Sequence, residues 1–599
     1  MVNLTSLIIV PLFILVIILI IANYGNKTTI RLVETNSEKY ISQVEEIKLM
    51  IPYVLRTFYK NVINSNLNLI PSILTTSFWI ENSEFKKEKE QQVVKIYIIS
   101  VLKRLSVSIS LFLFILLLIF WIEYESNTTE YQIITGFFYN QKISNVKVDL
   151  ALDSLSLWFS LLVGFISPLV YLSNWETIFK LNLYYLSLVL SLELFLIIVF
   201  LVIDFIIFYV FFESILPLLF ILIGLYGAMQ KFRAGYYIFL YTLFGSLFML
   251  VSFLKMGGDV ATTYFSNQIS ERFFEILQIL LWIVLFISFS VKTPVVPFHI
   301  WLPLAHSDAN VSGSIILASV VLKLALYAFI RILIGILCLA TLACSSFVLG
   351  MSGISVLYSS FTTIRQFDLK VLVAYSSIAH MGSTLLGTFS NTLYGLLGSI
   401  VFGLAHGFVS PALFILVGAV LYDRCGSRII NYYKGLTNII PFFTLLLLLF
   451  IFGNMGVPLT GNFIGEFLSL LGAYQQNIFI ASIGTTSVIL SAVYSIFMYN
   501  RITGGSLSPY IHTIPDLFRK EFYMLLPLLF FTFILGVYPY FVTSEIEFGL
   551  SSFLLIGSTP IIFSPNPIDR NNDSVDKIIW PADVTLNPHN TLVIRNIIL

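Results

Sequence analysis

Windows of about 20 apolar residues, the length of α-helix that crosses a hydrocarbon core about 30 Å thick, follow one another with few gaps from residue 104 to residue 545. Lipid offers backbone N–H and C=O groups no partners, so only helices or closed barrels survive at that depth. The pattern predicts 14 helical spans, at approximately 4–23, 104–122, 150–171, 182–202, 203–225, 235–254, 273–291, 309–333, 335–360, 370–389, 393–421, 440–471, 477–500 and 523–545. Composition agrees: 11% charged residues and a mean hydropathy of +0.92 leave too little polar surface to cover a soluble globule. The chain therefore reads as an all-α polytopic membrane protein. An even number of spans puts both termini on one side, but the basic loops are too evenly distributed for the positive-inside rule to say which.

Several function classes fall away at once. A net charge of +1 supplies no field for holding phosphates, so nucleic acid is excluded as a partner. The three cysteines, Cys338, Cys344 and Cys425, form no CxxC, so this chain alone builds neither an iron–sulfur cluster nor a disulfide framework. Residues 1–23 lack a basic leader and a small-residue cleavage site, which fits a retained first helix. Residues 24–103 interleave Lys86, Lys87, Lys89 and Lys103 with Glu45, Glu46, Glu88 and Glu90, as a polar, partly helical insertion would. A second span and its loop (104–149), a core (150–545) and a C-terminal extension (546–599) rich in proline complete the expected organisation.

An ionisable side chain inside a span costs about 2.5–3.5 kcal/mol on insertion scales. Glu213, Lys292, Lys323 and Glu466 nonetheless fall within apolar strings, and His380 and His406 lie in two further spans. One such residue is readily explained as a structural ion pair or a snorkelling helix end. Six, spread over spans 5, 7, 8, 10, 11 and 12, are what a proton relay requires, because each member must gain and release a proton at modest cost. An acid beside a lysine favours the charged ammonium while burial disfavours it, so moving Glu213 relative to Lys292 would load or unload the lysine.

The backbone gives a separate signal. Span 7 is interrupted by Lys292, Thr293, Pro294 and Pro297, and span 12 by Asn454, Gly456, Pro458 and Gly461 ahead of Glu466. Helix breaks at membrane depth persist where they line protein or a watery cavity. If spans 4–8 (residues about 182–333) and 9–13 (about 335–500) are two inverted five-helix repeats, each break falls in the fourth helix of its repeat, the pattern that marks an ion pathway in transporters. Glu213 and His380 then both fall in the second helix.

The string VKTPVVPFHIWLPLAHSDANVSGSIILASVVLKLALYAFIRI contains an HxWLPxAH core at His299, Trp301, Leu302, Pro303, Ala305 and His306. With FYVFFESILP around Glu213, RQFDLKVLVAYSSIAHMG from Arg365, AHGFVSPALFILVG around His406 and GNFIGEF ending near Glu466, it resembles the antiporter-like subunits of proton-pumping NADH:quinone oxidoreductase, respiratory complex I. The resemblance runs from about residue 150 to 545. Glu466 stands where sibling chains 2 and 5 usually place lysine, and only about 54 residues follow span 14, so the chain resembles the chain 4 branch, called M in bacteria.

The resemblance implies roles: Glu213 as the fifth-helix acid, Lys292 as the broken-helix lysine, Lys323 as the central lysine, His380 and His406 as connecting histidines, and Glu466 as the exit acid. It implies a proton-translocating membrane-arm subunit that binds no cofactor itself, with NADH, FMN, iron–sulfur clusters and ubiquinone handled by other subunits. Expected partners are chain 2-like and chain 5-like antiporter subunits, accessory subunits and membrane lipids, with structural phospholipid between subunits, in the mitochondrial inner membrane. The alternative is a subunit of a multisubunit cation/proton antiporter, which would use the same lysines without a redox partner. For His299 and His306 a structural hydrogen bond is the expectation, for Asp368 and Lys370 an interfacial anchor, and for Asp423, Arg424 and Arg428 a charged helix end.

Overall fold

A computed structural model describes residues 83–136, 149–175, 182–260, 262–265, 273–510 and 514–558. In chain order the helices are α1 (Ser83–Glu123), α2 (Ser154–Ser173), α3 (Asn182–Leu201), α4 (Phe205–Tyr226), α5 (Lys231–Val260), α6 (Glu275–Lys292) and α7 (Trp301–Asp308). There follow α8 (Val311–Ile334), α9 (Cys338–Ile364), α10 (Leu369–Thr388), α11 (Leu393–Cys425), α12 (Pro441–Met455), α13 (Gly461–Gln476), α14 (Ile478–Thr503), α15 (Arg519–Val537) and α16 (Tyr540–Ser558). Twelve of them are long and apolar enough to cross a membrane. By its contacts the chain divides into Met1–Gly557 and Ser558–Leu599, and only Ser558 of the second unit is described.

The helical reading of the sequence holds, with twelve membrane-length helices among the described residues rather than the expected 14 spans, and with two local differences. The expected first span, 4–23, most of the insertion and the tail from 559 lie outside the described residues. The second span agrees, Ser100–Glu123 against the expected 104–122, and α1 extends back from it to Ser83 within the insertion read as partly helical. A two-stranded antiparallel hairpin, β1 (Ile133–Gly136) with β2 (Asp149–Leu152), departs from an all-helical chain; β-branched Ile133, Ile134 and Thr135 suit a strand, and Ile133 pairs with Leu152. The last span stops at Val537 rather than 545, since Pro539 disfavours helix at Tyr538, and α16 starts anew at Tyr540.

Two helices form the axis of the bundle. α8 and α11 are buried along their whole membrane-length windows, whereas α1, α14 and α15 are buried over a third of theirs or less. The outer helices turn side chains such as Phe112, Val251 and Ile489 outward, where lipid takes the place of a protein neighbour. α11 and α13 approach through small residues: a Cβ on Gly465 would lie 2.5 Å from the Phe402 backbone, and one on Gly472 would lie 2.5 Å from Gly395 Cα. Gly465, Ser469 and Gly472 repeat at helical spacing, and such stripes let membrane helices pack closely when no hydrophobic force draws them together.

Polar ties fix the ends of this bundle. Asp153 caps α2 by accepting from Ser156 N at 2.9 Å and also pairs with Arg331 in the last turn of α8. Burial alone would raise the Asp153 carboxyl, but the Arg331 guanidinium and the Ser156 hydrogen bonds outweigh it and hold the group below the usual carboxylate range. Glu545 of α16 accepts from Trp121 Nε1 at 2.9 Å and from Trp158 Nε1 at 3.1 Å, joining α16 to α1 and α2.

Removing one partner of a buried ion pair leaves the other uncompensated and costs about 3–5 kcal/mol. Asp153→Ala should therefore lower the thermal stability of the native membrane protein by about that amount at neutral pH. Because the Asp153 carboxyl is depressed in the folded chain, the stabilisation is present above the usual carboxylate value of 3.8 and is lost as pH falls through the folded value. Thermal melts of both forms should thus converge in acid; a constant difference down to the lowest pH would contradict the pairing.

Candidate functional site

α4 and α6 build the first charged group. Lys292 is the final residue of α6, where an ammonium also complements the exposed carbonyls of the helix end. It is 1% exposed, its Nζ donates to Phe212 O at 3.0 Å, and it stands 3.2 Å from the centre of the Phe212 ring. Glu213 is the next residue of α4. Its Oε1 is buried without a hydrogen-bond partner, and Lys292 is the charge that acts on it, yet among the described ion pairs none closes these two groups to within 4.0 Å. The pair is poised rather than closed. Beyond Lys292 the chain leaves the helix for residues 293–300 and re-enters it in α7, and Trp301 Nε1 donates to Val291 O at 2.8 Å, pinning the second half onto the end of the first.

Lys323 lies at the middle of α8 and is 0% exposed. Wider π turns bracket it, at Leu317–Val321 and Phe329–Ile334. Such turns leave carbonyls free of the regular ladder and often accompany functional sites. Lys323 Nζ donates to Ala318 O, five residues earlier, at 2.6 Å and to His406 Nδ1 at 2.8 Å. The His406 ring lies 5.6 Å from the His380 ring, centre to centre. His380 Nε2–H donates to Asn454 Oδ1 at 3.1 Å, and Asn454 Nδ2 donates to Ser495 Oγ at 3.3 Å. Lys323 on α8, His406 on α11, His380 on α10 and Asn454 on α12 thus meet in one buried file. Among the described residues no hydrogen bond continues it from Lys323 to Lys292.

The second break closes the site. α12 ends at Met455, Gly456 takes a φ of +69°, and α13 begins at Gly461. Asn462 Nδ2 donates to Gly453 O at 2.9 Å, a carbonyl in the last turn of α12 that also accepts from Gly456 N, so α13 is tied to the end of α12. Glu466, 4% exposed, lies one turn into α13 and accepts from Ser487 Oγ of α14 at 3.0 Å.

All six residues singled out in the sequence are therefore placed within the bundle, five buried and Glu213 partly so. Lys323, His406 and His380 are brought together directly; Glu213 and Lys292 form a separate pair, and Glu466 sits beyond the second break. His306 differs from its expected structural hydrogen bond: both ring nitrogens are buried without one, and the ring stacks on Phe414 at 4.7 Å. Lys370 is no interfacial anchor. It is 3% exposed and donates to Ala309 O at 3.1 Å, while Asp368 caps α10. Arg424 pairs with Glu521, and Arg428 lies 3.8 Å from Asp308 and 3.5 Å from Asp368, as a charged helix end would. Five buried charges lie outside the six: Glu193 on α3, which accepts from Ser167 Oγ at 2.7 Å, Asp204, Asp308, Arg331 and Lys370. Glu193 and Arg331 sit in apolar strings, so the depth criterion itself would reach them. The sequence marks Asn454 only as part of the second helix break, not as a partner of His380, and nothing in one sequence separates Ser487 from other polar residues.

The family described as NADH:quinone oxidoreductase/Mrp antiporter matches residues 202–491. NADH-ubiquinone oxidoreductase chain 4 of Mycosarcoma maydis is 46% identical over 461 residues, covering 77% of this chain and 94% of that protein. The chain 4 of Marchantia polymorpha is 43% identical over 443 residues, covering 74% and 89%. Among solved structures, a chain of respiratory complex I from Thermus thermophilus superposes with a TM-score of 0.71 at 27% identity, over 76% of this chain and 96% of that one. A chain of the Mrp complex from Dietzia has a TM-score of 0.67 at 17% identity, over 78% and 97%, a likeness of fold alone.

The left-handed turn at Gly456 yields a test of the site's geometry. A Cβ there would lie 3.0 Å from Glu466 Oε2, and a left-handed backbone costs a non-glycine residue about 1–2 kcal/mol. Gly456→Ala should therefore destabilise the native protein by about that amount in a thermal melt. An unchanged melting temperature would mean that the turn is not held as described.

Proposed function

The chain belongs to the NADH-ubiquinone oxidoreductase chain 4 family, a proton-translocating membrane-arm subunit of respiratory complex I, and on that premise we propose how its buried charges work. Glu213, Lys292, Lys323, His380, His406 and Glu466 form one relay across the bundle. The observation that carries this reading is the buried file Lys323–His406–His380–Asn454, which runs from the central lysine to the second helix break.

In this mechanism Lys292 holds a proton while Glu213 is near. A signal along the membrane arm draws the acid away; the ammonium is then a buried charge without compensation, and its proton passes inward. Lys323 takes it and gives an N–H proton to His406 Nδ1, the contact the geometry already makes. His406 releases the proton from Nε2, a nitrogen that is buried without a hydrogen bond, toward His380 and onward to Glu466. An imidazole serves here because it accepts at one nitrogen and donates from the other.

Electron transfer belongs to other subunits in this reading, which hold NADH, FMN, iron–sulfur clusters and ubiquinone. The neighbours are chain 2-like and chain 5-like antiporter subunits, accessory subunits and lipid, and the complex sits in the mitochondrial inner membrane. A cation/proton antiporter is disfavoured, because relatives 40–46% identical over most of their length are complex I chains, whereas the Mrp likeness is one of fold.

The test uses the native complex reconstituted in vesicles, with Lys292→Ala and Lys323→Ala each compared with the unaltered chain. Loss of a positioned proton carrier typically costs a hundredfold or more, and NADH-driven proton uptake should fall on that order. Unchanged uptake in both variants would overturn the relay. Migration of the chain apart from NADH-oxidising activity, together with sodium- or potassium-driven proton exchange, would favour the antiporter.

A further inference from the structure

Glu193, at the middle of α3, is 2% exposed and belongs to none of the described ion pairs. No cation acts on it. Its Oε1 accepts from Ser167 Oγ of α2 at 2.7 Å, while Oε2 is buried without a hydrogen-bond partner. The Tyr171 hydroxyl, one turn further along α2, is close enough for it and Glu193 to act on each other, yet it too is buried without a hydrogen bond. Polar groups continue from there to the end of α2. Tyr185 of α3 donates to Val170 O at 3.2 Å and lies against the side chains of Asn174 and Ser312, and Asn174 Nδ2 donates to Ser312 Oγ at 2.9 Å. Asn174 caps the C-terminus of α2, and Ser312 is in the first turn of α8. At the head of α8, Asn310 Nδ2 is again buried without a partner.

A buried acid bonded to a serine can simply tie two membrane helices together. Such a tie leaves nothing unsatisfied, whereas Glu193 Oε2, the Tyr171 hydroxyl and Asn310 Nδ2 each stay open along one path, the condition that ordered water satisfies. A carboxylate without a counterion is costly at this depth, so an acid of this kind marks a place where a proton is held. The register of the helices shows what lies beside it. Tyr185 meets Ser312, and Tyr327 OH donates to Phe200 O at 3.1 Å; both pairs are offset by 127 residues, so α3 and α8 run side by side in one direction. The same offset sets Glu193 level with Val320, one helical turn before Lys323. Ser319, buried, stands on α8 at that level.

We propose that Glu193 is a further proton-carrying residue of this chain, loaded along the seam between α2 and α3 from the membrane face where α2 ends and α8 begins, and that it supplies Lys323. A proton arriving at Asn174 and Ser312 passes through water held by Tyr185 and Tyr171 to the Glu193 carboxylate. An O–H bond forms at Oε2 as one in the donating water breaks. The acid then releases its proton past Ser319 to the Lys323 amine, one turn further along the neighbouring helix, and the carboxylate is restored. The nitrogen gains the proton that the carboxyl loses, no bond between heavy atoms changes, and nothing is oxidised or reduced. Ser167, Tyr171 and Tyr185 position the acid and its water. The inference rests on the relay proposed above and adds a second entrance to it, beside that through Lys292.

The experiment compares Glu193→Gln and Glu193→Asp with the unaltered chain in the native complex reconstituted in vesicles, with Lys323→Ala alongside. Glutamine has the shape of glutamate and still bonds Ser167, so a tie between helices survives it, but it carries no exchangeable acid proton. Aspartate keeps the acid on a shorter stem. The proposal expects NADH-driven proton uptake slowed about tenfold in Glu193→Gln, less than the loss in Lys323→Ala because Lys292 still supplies the central lysine. Uptake in Glu193→Asp should lie within about twofold of normal. Normal uptake in Glu193→Gln, or an equal loss in the glutamine and aspartate variants, would overturn the entrance. If Glu193→Gln does not assemble, Tyr171→Phe, which removes only the hydroxyl, decides: slowed uptake in an assembled complex supports the entrance, and normal uptake overturns it. Lys323→Ala separates the two levels. Normal uptake there means that the relay reading has failed, whereas impaired uptake there with normal Glu193→Gln means that the entrance alone has failed.

Discussion

An ammonium group at the middle of a bilayer can be stabilised only by protein atoms, and Lys323 is the group around which this bundle is arranged. Its helix and that of its partner His406 are the two that are buried throughout, and Ala318 O, within the π turn that precedes it, accepts a hydrogen bond from its Nζ. With His406 on its other side, the lysine can hold or lose a proton without leaving a polar atom stranded. The outer helices need only be apolar; the inner ones must be polar at chosen points, and the small-residue seam between α11 and α13 leaves room for that.

The helix breaks follow from the same constraint. An uninterrupted helix satisfies its own backbone and offers nothing to a proton. At Lys292 and at Gly456 the backbone opens, and in each case a side chain from beyond the break bonds a carbonyl of the last helical turn: Trp301 to Val291 O, and Asn462 to Gly453 O. The openings place a titratable group beside each break, Lys292 at the end of α6 and Glu466 at the start of α13. The site is thus built from irregularities that would be costly in lipid and are tolerable inside the protein.

Much of this was legible in the sequence because membrane burial is written in composition. The core spans, both breaks and the six residues proposed as the relay could be located from apolar length, from Pro and Gly, and from ionisable residues in apolar strings. Less legible were features that depend on which helix faces which. Asp153 and Arg331 are 178 residues apart, and their pairing is a fact of packing. Ser487 looks like an ordinary polar residue until the fold sets it beside Glu466. His306 shows the converse, a conspicuous residue whose expected hydrogen bond is replaced by a stacked Phe414. The α15 boundary was misplaced because Pro539 ends a helix that hydropathy alone would continue.

The central claim is that these buried groups change protonation during turnover rather than serving as fixed ion pairs. Infrared difference spectroscopy of the native complex in membranes, recorded as NADH is added, reads this directly at Glu466. A carboxylic acid C=O band should appear or vanish with turnover, shift in D2O, and be absent in Glu466→Gln. A difference spectrum identical in Glu466→Gln and in the unaltered complex would contradict the account.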